Sequence, residues 1–121
     1  MSRVFFDTNL FIYLVEENPG WVDRVVQIIR SMDARRDELV TSTITLGEVL
    51  VRPRREGRAD WIEMYEGVLL GPSVRMVDFD AAAARIYAEL RAELKVKAPD
   101  AIQLACAAAA KTDLFITNDD R

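Results

Sequence analysis

Histidine is missing altogether from these 121 residues. Its absence excludes Ser-His-Asp and Cys-His catalysis, two-histidine phosphodiester cleavage and histidine-ligated metals. Cysteine is nearly missing too. One thiol, Cys106, can form no internal disulfide and no cysteine-rich zinc site. It sits among alanines in a helical pattern and reads as a small buried side chain. No apolar run approaches the roughly 20 residues of a membrane span. The opening Met1-Ser2-Arg3-Val4-Phe5-Phe6-Asp7 reaches an acid too early for a signal peptide, so a cytoplasmic protein is the expectation. Five glycines and no Pro/Gly/Ser-rich stretch leave no sign of a linker, and no repeat is visible. The net charge of −4 argues against a protein that coats nucleic acid. It does not exclude a nuclease, because bound cations offset an acidic pocket.

What remains is a half-hydrophobic chain of one domain's length, with chemistry limited to carboxylates, lysine, hydroxyls or a bound cation. Short apolar runs alternate with longer helical stretches. Val4 to Phe6 reads as a buried strand, and Asp7-Thr8-Asn9 offers caps for a helix carrying Leu10, Phe11, Tyr13 and Leu14. Trp21 to Ala34 has Val22, Val25, Val26, Ile29 and Met32 at helical spacing. Leu39 to Thr41 is a second strand, followed by a helix capped by Ser42 or Thr43 and running through Glu48 to about Val51. A helix from Asp60 to Leu70, a strand from Val74 to Val77 and an Asp80-capped helix carrying Ile86, Leu90 and Leu94 follow. Pro99 suits the first position of a helix reaching about Lys111, and Leu114 to Thr117 is the fourth strand. Such alternation predicts a parallel sheet covered on both faces.

In sheets of this kind ligands bind beyond the carboxyl ends of the strands. Four acids fall at suitable places. Asp7 follows the first strand and Asp119 the fourth. Glu48 lies in the helix after the second strand, and Asp100 in the first turn of the helix before the fourth. Each has a plainer explanation: Asp7 as a helix cap, Asp100 as a first-turn acid on the helix dipole, Glu48 as a solvated helix residue, Asp119 as a turn residue. If they converge, each pair at ~4 Å costs about 4 kcal/mol at an effective dielectric of ~20. Only protons or cations could sustain that. Oxygen ligands without imidazole or thiolate suit Mg²⁺ or Mn²⁺, ions that serve phosphodiester hydrolysis.

The ordered segments Val4-Phe5-Phe6-Asp7-Thr8-Asn9, Thr41-Ser42-Thr43-Ile44-Thr45-Leu46-Gly47-Glu48-Val49, Pro99-Asp100-Ala101-Ile102-Gln103-Leu104-Ala105 and Thr117-Asn118-Asp119 resemble a PIN domain. Within that group they are similar to a VapC-type toxin of a toxin–antitoxin pair. The likeness spans almost the whole chain. It implies a Rossmann-like, three-layer α/β/α fold with a parallel sheet in the order 3-2-1-4. The fifth strand that family members often add is expected to be missing, since the chain stops at Arg121. The resemblance further implies Mg²⁺- or Mn²⁺-dependent endoribonuclease activity on RNA, a homodimer and an antitoxin over the site. Asp7, Glu48, Asp100 and Asp119 carry over as metal ligands, Glu48 alternatively as a residue that positions water. Thr8, Asn9 and Thr117 carry over as supporting polar residues.

Arg52, Arg54, Arg55 and Arg58 form the main basic run, and Lys95 and Lys97 precede Asp100. Either these contact RNA phosphates or they are solvated charge. Core packing accounts for most of Leu10, Phe11, Tyr13, Leu14, Leu46, Val49 and Leu50; the rest could form a groove for an antitoxin or a dimer contact. Two rival functions remain. One is an inactive PIN-like module that only binds a protein partner or RNA. The other is a haloacid-dehalogenase-type phosphatase, which needs a second aspartate where Asn9 stands.

Overall fold

The computed structural model describes residues 1–118. Strands β1 (Arg3–Phe6), β2 (Glu38–Ser42), β3 (Val74–Val77) and β4 (Leu114–Ile116) form one parallel sheet in the order β3-β2-β1-β4. The register sets Val4 against Leu39 and Leu114, and Leu39 against Val74. Helices α1 (Thr8–Val15), α2 (Val22–Arg35), α3 (Thr43–Arg55) and α4 (Ala59–Leu69) supply one face. Helices α5 (Ala81–Glu93) and α6 (Ala98–Ala109) supply the other.

The strand period of two divides the core. Val4 and Phe6 join Leu10, Phe11, Val25, Val49, Tyr65 and Leu69 on the first face. Phe5 points the other way with Val40, Ala83, Ala105 and Cys106, and its ring stacks on Phe115 at 5.3 Å. The alanines of α6 let that helix lie close to the sheet. Among the described residues no helix is long and apolar enough to cross a membrane. Leu10, Phe11 and Val49 are buried, and Tyr13, Leu14, Leu46 and Leu50 pack partly buried around them, so the hydrophobic surplus of α1 and α3 is largely core.

Some boundaries differ from the sequence pattern. Helix α3 continues four residues past Val51, through Pro53 to Arg55. Pro53 stands in the last turn, where it can donate no bond to the Val49 carbonyl; the turn closes with the Glu56 N–H on the Arg52 carbonyl and the Arg58 N–H on the Pro53 carbonyl. Helix α6 stops at Ala109 rather than Lys111. The Lys111 and Thr112 N–H groups turn back onto the Ala108 and Ala107 carbonyls, with Lys111 left-handed at φ 56°. Asp80 caps α5, accepting from the Ala83 N–H at 2.9 Å. Asp80 is thereby occupied as a cap.

Cys106 is fully buried, and burial, reinforced by Asp80, pushes its thiol up to about 11. Two outcomes follow. A thiol reagent at pH 8 reacts with the folded protein on the order of 100-fold more slowly than with the urea-unfolded chain, because thiolate and access are both lacking. Stability also falls as pH rises from about 9 toward 11, since the unfolded thiol loses its proton first. A flat stability profile over that range, against a Cys106→Ala control, would contradict the second outcome.

Candidate active site

Asp7 directly follows β1, an inner strand of the sheet. Its N–H continues the sheet onto the Ile116 carbonyl at 3.0 Å, and the chain then turns into α1 with Asp7 as N-cap. Both carboxylate oxygens are held. Oδ1 accepts from the Thr8 N–H at 2.8 Å and from the Gln103 amide at 3.4 Å. Oδ2 accepts from the Thr117 hydroxyl at 2.7 Å. Thr117 follows β4, so the β1–β4 pairing delivers the hydroxyl to the carboxylate. It leaves the strand as it does so, which ends β4 one residue before the sequence pattern suggests.

Glu48 is the exposed sixth residue of α3. The buried Thr8 hydroxyl donates to its Oε1 at 2.6 Å. Thr8 therefore links two acids: its backbone serves Asp7 and its side chain serves Glu48. Asp100 lies in the first turn of α6, half-buried. Because α6 leads directly into β4, its N-terminus stands at the carboxyl end of the sheet, with Asp7 and Thr117. Asn9 donates to the Asn118 carbonyl at 3.5 Å, and the Asn118 amide donates to the Tyr13 hydroxyl at 2.9 Å. Both fix the chain leading to Asp119, which itself lies outside the described residues.

Beneath the acids is a buried polar layer to which the sequence pattern did not point. Gln103, 2% exposed, is its centre. Its amide nitrogen donates to the Thr45 hydroxyl at 2.7 Å and lies 3.2 Å from the Thr8 hydroxyl, besides reaching Asp7. Its amide oxygen accepts from the Ser42 hydroxyl at 2.5 Å. The Thr41 and Thr45 hydroxyls lie 2.9 Å apart, and Thr41 donates to the Phe6 carbonyl at 2.9 Å. Ser42 also caps α3. Among the described residues no buried side-chain polar atom lacks a partner. A signal was present: Ser42, Thr45 and Glu48 recur at three-residue spacing, as do Asp100 and Gln103, and such spacing puts side chains on one helix face.

The donors are hard oxygens, which fit Mg²⁺ or Mn²⁺ better than softer ions. Among the described residues no three acidic, histidine or cysteine side chains stand close enough together to hold an ion. Asp7, Glu48 and Asp100 are thus brought to one end of the sheet without forming a closed cage by themselves.

The basic run divides. Arg52 is drawn to Glu56 at 2.6 Å and to Glu16 at 3.6 Å. Glu16 also accepts from the buried Tyr65 hydroxyl, and burial together with this bond raises the Tyr65 phenol far above its ordinary range. Arg58 pairs with Asp60 and stacks over Trp61 at 3.7 Å, holding the Asp60 carboxyl down at about 2. Arg54 and Arg55 are exposed, with no carboxylate partner among the described residues. Lys97, also exposed, is the N-cap residue of α6 and makes no side-chain capping bond.

The PIN domain family model matches residues 4–121. No curated protein sequence matches the chain. Several solved structures share its fold. VapBC2 from Rickettsia felis, bound to a promoter DNA fragment, is 21% identical with a TM-score of 0.77, covering 96% of this chain and 88% of that one. A toxin–antitoxin complex from Klebsiella pneumoniae is 25% identical with a TM-score of 0.70, covering 97% and 88%. VapC20 from Mycobacterium tuberculosis, a toxin that cleaves the sarcin-ricin loop, is 16% identical with a TM-score of 0.73, covering 97% and 90%.

Proposed function

The chain belongs to the PIN domain family, and we propose from that premise that it is a metal-dependent endoribonuclease, the toxin of a toxin–antitoxin pair. One observation carries the reading. Asp7 directly follows the inner strand β1, with both carboxylate oxygens aimed by the Thr8 N–H, the Gln103 amide and the Thr117 hydroxyl. A side chain that served only as a cap would not need its second oxygen oriented from another strand.

In the reaction, water adds to an RNA phosphorus, one P–O ester bond breaks and the released oxygen takes up a proton. Asp7, Asp100 and Asp119 would hold the divalent cation, Mg²⁺ or Mn²⁺, and Glu48 would either join them or position the water. The cation supplies Lewis acidity toward a phosphoryl oxygen and eases deprotonation of water at neutral pH. Thr117 and Thr8 keep Asp7 and Glu48 in fixed orientations, and Asn9 braces the segment before Asp119. Arg54, Arg55 and Lys97 meet the RNA backbone; Arg52 can join them only by giving up Glu56 and Glu16.

A protein antitoxin is the proposed partner, in line with the toxin–antitoxin complexes that share this fold. The chain is further proposed to act as a single PIN-like domain, as a homodimer and in the cytoplasm. The phosphatase alternative lacks its second aspartate: Asn9 stands there, with its amide turned to Asn118.

The test is cleavage of a mixed RNA substrate with Mn²⁺, with Mg²⁺ and with EDTA. Cutting that needs either ion and stops in EDTA supports the nuclease. Cutting that persists in EDTA removes the metal from the mechanism. No cutting under any condition favours a module that only binds a partner.

A further inference from the structure

Helices α5 and α6 pack against each other as a hairpin whose tip lies between Glu93 and Ala98. Beside the tip lies a shallow, open depression of about 440 Å³, lined by Arg91, Lys95, Val96, Lys97 and Ala98. Three of these five residues are cations and none is an acid. In a chain of net charge −4, a lining with three cations and no acid departs from the average surface. None of the three cations is drawn off by an ion pair among the described residues. Arg91 has the Tyr87 ring near it, 6.0 Å from the guanidinium, and Lys95 and Lys97 are exposed to solvent.

The backbone holds the group together. The Val96 N–H turns back onto the Leu90 carbonyl at 3.1 Å, and Lys95 takes a left-handed φ of 55°. Lysine gains nothing by itself in that conformation; the tight turn requires it. The result sets Lys95 and Lys97 on the same side as Arg91 in the last turn of α5.

Position adds the second half of the argument. Lys97 precedes Asp100 by three residues, about 4.5 Å along the axis of α6. That end of α6 faces the carboxyl end of the sheet, where Asp7 and Thr117 stand. An RNA strand drawn to the acids therefore passes the hairpin tip. Carboxylates repel its backbone, and a cationic hollow beside them offsets that repulsion.

We propose that Arg91, Lys95 and Lys97 form a backbone-phosphate subsite that grips the RNA strand next to the acidic site. The proposal rests on the nuclease reading and adds where the strand is held. Because the subsite meets phosphate, it contributes affinity without base preference.

The test uses the full chain carrying Asp7→Asn, so that RNA survives, and a labelled single-stranded oligoribonucleotide as probe. Binding is measured from 50 to 200 mM salt. Adding Arg91→Gln, Lys95→Gln and Lys97→Gln is expected to reduce the slope of log K against log salt by about 2, at about 0.7 for each phosphate no longer neutralised. Affinity at 100 mM salt should fall by about tenfold or more. Lys95→Arg with Lys97→Arg should retain the slope. An equal charge change elsewhere, Arg30→Gln with Arg36→Gln and Lys111→Gln, should leave it nearly unmoved. All six positions are exposed, so folding survives in each variant. If the tip variant keeps the parent slope, or the control weakens binding as much, the subsite is refuted. The nuclease reading is judged separately, by whether the unmutated chain cuts RNA with Mn²⁺ and not in EDTA.

Discussion

Asp7→Asn loses metal-dependent RNA cleavage by about 10³-fold or more while its thermal midpoint stays within a few degrees of the parent. The two halves of that outcome come from different atoms. The cap is kept, because asparagine is as good an N-cap as aspartate and its oxygen still accepts the Thr8 N–H. The Thr117 hydroxyl, which donates to Oδ2 now, can instead accept from the new amide. The change in stability is therefore about 1 kcal/mol or less. What disappears is the negative charge a divalent cation needs. Cleavage assays with Mn²⁺ and thermal unfolding, run on the same preparations, check both halves. A variant that cuts at the parent rate overturns the assignment of Asp7. A variant that unfolds at room temperature means Asp7 matters mainly to the fold.

Gln103→Leu carries the second large effect, and here stability moves first. Leucine is of comparable bulk to glutamine but is apolar, with no donor and no acceptor. The Ser42 hydroxyl loses its acceptor at 2.5 Å, and the Thr45, Thr8 and Asp7 oxygens lose a shared donor. Each buried group left unpaired costs about 1–3 kcal/mol. Re-pairing among the neighbouring hydroxyls limits the total to roughly 3 kcal/mol, or about 10 °C in midpoint for a domain of this size. Gln103 is buried beneath the acids, where it positions Asp7 and Thr8. Its loss should therefore weaken metal affinity by about 10–100-fold, the usual consequence of removing a group that orients a ligand. High metal concentration should restore much of the rate. That rescue separates positioning from mere support of the fold. If the rate loss is independent of metal, Gln103 does not act through the ligands. If the midpoint does not move, the buried layer is not cooperative.

Much of the architecture is written in the chain's short periods. Val4-Phe5-Phe6 reads as a buried strand and Leu114-Phe115-Ile116 as a strand, although at the sheet edge Leu114 stays exposed, and the alternation with amphipathic helices points to parallel pairing. The order β3-β2-β1-β4 came from family likeness, not from any periodicity, because strand order depends on contacts far apart in sequence. The positions of Asp7, Glu48 and Asp100 at one end of the sheet were equally legible, since the residues that follow parallel strands, or open the helices leading into them, share that end.

The polar layer under the acids left only a faint trace in the sequence, the three-residue spacing of its members, and its partners were not legible. Gln103 lies in an alanine-rich helix where composition suggests only close packing, and it meets Thr8 and Thr45 across 95 and 58 residues of chain. The sorting of the arginines was equally hidden. Arg52 and Arg58 find Glu16, Glu56, Asp60 and Trp61, while Arg54 and Arg55 do not. Local spacing and the periods of helix and strand thus dictate which elements form, which faces they bury and which carboxylates reach the functional edge. Which oxygens are held, by whom, and which cations stay available for a ligand emerge only in the folded chain. A hydrogen bond or ion pair is fixed to within tenths of an ångström, and that precision comes from packing between elements distant in sequence.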